Sequence, residues 1–107
     1  MKFAGTWHIY EMELWDEEYF NMEVQAYIRI NSRGHGKFQF GLVSGSLYGG
    51  IVTEGTRKKF EFKWEGNDEC DPARGSGWIK LKNENSIKGR IKFHQGDSSK
   101  FWAEKAG

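Results

Sequence analysis

The sequence has a single cysteine, a single proline, almost no net charge and no long apolar run in its 107 residues. Cys70 has no partner for an intramolecular disulfide, which excludes a disulfide-stapled secreted domain. No window approaches the roughly 18 apolar residues of a transmembrane helix. The opening residues Met1-Lys2-Phe3-Ala4-Gly5-Thr6-Trp7 run into a strand pattern without the apolar stretch of a signal peptide. The expectation is a cytoplasmic protein with no membrane partner. A formal charge of +1 gives no global pull towards nucleic acid or membrane. Phosphate-binding loops, dinucleotide fingerprints and nucleophile elbows are also missing, so no cofactor is expected.

Aromatic residues are abundant: eight Phe, five Trp and four Tyr. Such side chains favour strands and bury the most area per residue. From Thr6 to Lys105, short runs alternate apolar and polar residues and are broken by Gly, Asn, Asp or Ser. That period of two is the signature of strands with one buried and one wet face. Eight strand candidates follow: Gly5–Met12 and residues 22–30, 37–43, 47–53, 58–65, 76–82, 86–94 and 100–105. Residues 14–21 fit alternation badly and suit a connection or one helical turn. In residues 22–30 the pattern places Val24, Ala26, Ile28 and Ile30 inward. Turns are expected at 32–36 and 44–46, and the longest break at 66–75, where Pro72 lies. Gly49-Gly50 suggests a bulge, a bend or a close backbone approach. With no repeat and no linker, residues 1–107 form a single all-β domain, an antiparallel up-and-down eight-stranded β-barrel with little or no helix.

Gly5-Thr6-Trp7 resembles the Gly-x-Trp start of the calycin barrels, the lipocalins, fatty-acid-binding proteins and avidins. The resemblance implies that Gly5 and Trp7 form one barrel end, with Lys100 or Lys105 as the basic residue over the indole, and that the barrel is of the lipocalin or streptavidin type. It covers three residues, and the other lipocalin motifs and the avidin ligand set are absent. Residues 15–21 and 62–69 also resemble a group of small bacterial proteins of uncharacterised function, a likeness that implies no activity.

Eight-stranded barrels range from filled interiors to interiors that hold one small ligand. Trp7, Phe38, Phe40, Phe60, Phe62, Trp64 and Phe93 are enough to fill this one, whereas Ala26, Gly41, Gly49, Gly77 and Gly89 are small enough to leave space. Charge is unevenly distributed. Residues 1–24 set Lys2 against Glu11, Glu13, Asp16, Glu17, Glu18 and Glu23, and residues 72–107 are rich in Lys and Arg. Complementarity across the closing seam is the expected consequence. Lys80, Lys82, Lys88, Arg90 and Lys92, with Trp78, form a basic outward stripe, expected to be an ordinary solvated face, and nucleic acid is not the expected partner.

Three functions remain. The first is a non-enzymatic barrel binding a small apolar or aromatic molecule, with Trp15, Tyr19, Asn21, Tyr27, Trp64, Asn67, Asp68 and Glu69 as candidate contacts at an open mouth. The second is an interaction module or homo-oligomer with Trp15, Tyr19, Phe20 and Trp102 exposed. The third is an enzyme using the acidic segments 16–23 and 67–71, which requires them to meet beside a pocket. Asp68, Glu69 and Asp71 do not follow the order of a calcium loop, and His8, His35 and His94 lack the spacing of a zinc site, so no metal is expected.

Overall fold

The computed structural model describes residues 1–106. Eight antiparallel strands run in sequence order around a closed barrel: β1 Gly5–Met12, β2 Tyr27–Ile30, β3 His35–Phe40, β4 Val43–Glu54, β5 Arg57–Asp68, β6 Asp71–Asn83, β7 Ser86–Phe93 and β8 Ser98–Lys105. The first and last strands close it, with Trp7 opposite Lys105 and Met12 opposite Phe101. Closure removes the exposed edges an open sheet would present. One helical turn, α1 Glu17–Phe20, interrupts the β pattern, with the Asp16 carboxylate accepting from the Tyr19 amide at 3.0 Å as its N-cap.

Several boundaries differ from the sequence expectation. Residues 22–26 are not strand, and Val24 is 44% exposed. Asn21 closes this segment instead, its side-chain oxygen accepting from the Ala26 amide at 2.8 Å. The turn expected at 44–46 lies earlier, at Gly41-Leu42, so Ser44, Gly45 and Ser46 belong to β4. Gly41 takes φ +56°, and the Tyr19 ring occupies the space a Cβ would need. The break expected at 66–75 shrinks to a turn at Glu69-Cys70, flanked by the pair Asp68 and Asp71. Pro72 is tolerated in β6 because β7 joins only from Gly75 onward, leaving Pro72 on an open edge. At Gly49-Gly50 the register with β5 is continuous, and Gly49 marks a close approach to the backbone of Glu61 and Phe62.

The interior is filled. Trp7, Phe38, Phe40, Phe60, Phe62, Trp64 and Phe101 are all buried. Their rings are matched to glycines on neighbouring strands: Phe62 lies opposite both Gly49 and Gly77, Trp64 opposite Gly75, Phe101 opposite Gly89 and Phe38 opposite Gly45. A Cβ at Gly77 would stand 2.5 Å from Phe62 Cζ, and one at Gly45 would stand 3.0 Å from both the Phe38 and Trp64 rings. The small residues therefore hold rings rather than empty space, as tapered small barrels require. Ser99, the buried polar residue, is satisfied: its hydroxyl donates to the Lys100 carbonyl at 2.9 Å and accepts from the Leu14 amide at 3.2 Å.

Two ends result. At one, the Trp7 indole N–H donates to the Phe3 carbonyl at 2.9 Å and the Lys105 ammonium stands 5.4 Å from the indole. Of the two basic residues expected there it is Lys105, while Lys100 lies further along β8, opposite Arg90. At the other end α1 folds over the opening. Phe20 is buried, and the half-buried Trp15 ring lies 5.1 Å from Phe40 and 6.2 Å from Phe93.

The β4–β5 hairpin projects past the barrel at the Trp7 end, because β3 reaches only Tyr48 and β6 joins β5 only at Phe60. Lys59 links the two arms of the projection, 3.2 Å from Glu54 on β4 and 3.0 Å from Glu61 on its own strand. The hydrogen bond and charge of Lys59 lower the Glu54 carboxyl below its usual 4.5, and bonding to Glu61 and Glu54 raises the Lys59 ammonium above 10.5. The Lys59–Glu54 pair is therefore complete between pH 4.5 and pH 10.5, lost as pH falls through the lowered Glu54 value, and lost again as pH rises through the raised Lys59 value. NMR relaxation should show Thr53 to Arg57 equally ordered at pH 6 and pH 9 and looser on acidification, with the barrel strands unchanged. Order at the tip unaltered by acid would show that the ion pairs do not hold it.

Candidate functional site

The expected contact residues do not form one mouth. Trp15 and Tyr19 come together, 6.1 Å apart and stacked, but they serve as the lid over Phe40. Asn21 is used in closing the 22–26 loop, accepting also from Gln25 at 3.4 Å. Trp64 points into the core and donates to the Lys92 carbonyl at 3.1 Å. Tyr27 lies on the outer surface of β2 with the Arg29 guanidinium 5.6 Å from its ring, and shares a shallow depression of about 270 Å³ with Asn67. Asp68 and Glu69 are exposed at the β5–β6 tip.

The two acidic segments flank one turn. The Glu69 amide donates to the Leu42 carbonyl at 2.9 Å, and the Leu42 amide donates to the Tyr19 hydroxyl at 3.4 Å. Among the described residues no three of His, Cys, Asp or Glu lie close enough to hold a metal. The patch expected for an interaction module is also altered, since Phe20 is buried and Trp15 and Tyr19 are half-buried.

A recess of different character lies at the Trp7 end. β5 and β6 separate beyond Phe60 and Ile79, and the gap between the hairpin arm and β6 forms a groove of about 720 Å³. Met1, Phe3, Ile51 and Leu81 supply its apolar surface. Lys2, Arg57, Lys58, Lys80 and Lys82 line it with cations, and no carboxylate lies among its lining residues. The hairpin positions both kinds of group: Ile51 stays 42% exposed because its strand has run past β3, and Arg57-Lys58 start the returning arm. On the far side, Lys80 reaches 3.7 Å from Glu54 across the opening. Chemically the groove can hold an apolar body and balance negative charge.

Sequence reasoning missed this groove because its residues come from three separate segments. The available signal was Ile51-Val52 followed closely by Arg57-Lys58-Lys59, more apolar and more basic than a hairpin turn needs to be.

No family model matches the chain, and no curated protein or solved structure matches it.

Proposed function

We propose that this is a non-enzymatic binding protein that takes a small, partly apolar molecule in the groove between the β4–β5 hairpin and β6, outside the packed barrel interior. The observation that carries the reading is the groove itself: its volume of about 720 Å³ lies within the range of about 300–1,000 Å³ of small-molecule sites. An apolar floor with a few charged groups on its walls gives such a site both affinity and orientation. The packed interior supports the same assignment, because rings already occupy the room a lipocalin-like ligand would need.

The test is a thermal-shift screen of the purified protein against small aromatic and apolar metabolites, neutral and anionic, with metals and nucleotides as controls. A ligand at 100 times its dissociation constant should stabilise the native state by about 2.7 kcal/mol. Ile51→Asp, at an exposed position, should abolish the shift and leave the unliganded melting temperature unchanged. A hit that survives this substitution would place the ligand elsewhere. A flat screen together with a dimer on size exclusion would move the exposed Ile51 and Val52 to a protein interface.

A further inference from the structure

The basic stripe has more structure than one face of a hairpin. The register sets Trp78 of β6 opposite Arg90 of β7, and Arg90 opposite Lys100 of β8. The next outward row is Lys80, Lys88 and Trp102. Two tryptophans thus stand on one three-stranded face, two strands and two residues apart, about 12 Å by ordinary strand spacing and rise. Lys88 and Arg90 lie between them on β7.

These cations are not neutralised by the acidic N-terminal segment. Among the described residues, ion pairs within 4 Å join Lys59 to Glu54 and Glu61, and Lys80 to Glu54; none crosses from β8 to β1. At the seam, the Glu13 carboxylate accepts from the Lys100 amide at 3.1 Å, a main-chain bond rather than a charge pair. Glu11 stands beside Trp102 and Glu61 beside Trp78, so acids border the face on both flanks, while Lys88, Arg90, Lys92 and Lys100 carry no ion pair among the described residues. Arg90 is held in place by donating to the Ser98 hydroxyl at 2.8 Å. The Lys80 ammonium lies 5.3 Å from the Trp78 ring, joining cation and aromatic in one unit.

We propose that the outer face of β6, β7 and β8 binds single-stranded nucleic acid, with Trp78 and Trp102 stacking on separate bases and Lys80, Lys88, Arg90, Lys92 and Lys100 meeting the phosphates between and beside them. Single-strand binders combine these two elements, a cationic track and aromatic platforms that accept any base. Duplex fits poorly, because its bases are stacked on one another and present no free face to the two indoles. Of these residues Lys80 also lines the groove beside β6, and the rest lie outside it.

The experiment is fluorescence anisotropy with labelled 12-nucleotide oligothymidine and oligouridine at low salt, alongside the matching duplex and inorganic polyphosphate. Single strands should bind and quench tryptophan emission. With about four phosphates engaged, log affinity should fall against log salt with a slope of about −3. Trp78→Ala and Trp102→Ala should each weaken binding by roughly tenfold, the low-to-middle part of the range for one stacked base. Lys88→Gln with Lys92→Gln should flatten the salt slope while the melting temperature stays unchanged, so a failure of the tryptophan variants to fold leaves a second readout. The proposal is overturned if single strands do not bind, if duplex or polyphosphate binds as tightly, or if binding is indifferent to both tryptophans.

Discussion

Replacing Trp7 with alanine is expected to destabilise the protein by about 3–5 kcal/mol, the cost typical of deleting a buried large aromatic. Trp7 is 0% exposed, and its ring lies at the barrel end where β1 meets both β2 and β8. The loss has two parts. The cavity left behind is bounded by paired strands that cannot collapse into it, and the Phe3 carbonyl, which accepts the indole N–H at 2.9 Å, is left without its donor. Trp7→Phe separates them: much of the volume returns, and the orphaned carbonyl accounts for a remaining cost of about 1–3 kcal/mol. Lys105→Ala should cost much less, because a cation–π contact made by an exposed ammonium contributes about 0.5–1 kcal/mol. Urea unfolding followed by circular dichroism measures all three, with an unchanged m-value as the check on two-state behaviour. Near-wild-type stability of Trp7→Ala would show that the indole does not plug the end of the barrel.

The strands that could be read from the sequence are those in which one face is apolar and the other charged without interruption. Phe60, Phe62 and Trp64 against Lys59, Glu61 and Lys63 admit no other period, and β5 contains them in that orientation. Segment 66–75 was illegible for a physical reason. Proline, aspartate and glycine there report local preferences for turns, whereas β6 is held extended by a long pairing with β5 in which Asn67 faces Pro72. Segment 22–26 erred in the opposite sense, alternating like a strand while Asn21 and Gln25 bonded it into a loop. The candidate site was less legible still. Aromatic and acidic residues at 15–23 and 67–71 do come to one end, but as lid, turn and hairpin tip. The groove depends on where β5 and β6 part, and Trp102 joins Trp78 through the register of three strands; neither is a property of any single segment.

Gly89→Ala should destabilise the barrel by about 1–3 kcal/mol or more, although it adds one methyl group. The new Cβ would stand 2.5 Å from Phe101 Cζ and 2.6 Å from the Trp78 carbonyl oxygen. The carbonyl belongs to a paired strand and cannot retreat, and Phe101 is itself buried, so the ring has no empty space to move into. Gly50→Ala is the control. Its Cβ would meet nothing within 4 Å, and the substitution should be neutral or slightly stabilising through the unfolded chain. Combining Gly89→Ala with Phe101→Leu should cost less than the sum of the two single changes, because removing the ring edge removes the collision; the cycle isolates that coupling. The outcome also bears on where a ligand can bind. If Gly89→Ala and the equivalent change at Gly77, facing Phe62, are both costly, the interior has no slack and a small molecule is confined to the groove beside β6. If both are tolerated, the rings move readily, and the interior becomes a competing site that the Ile51→Asp variant would leave intact.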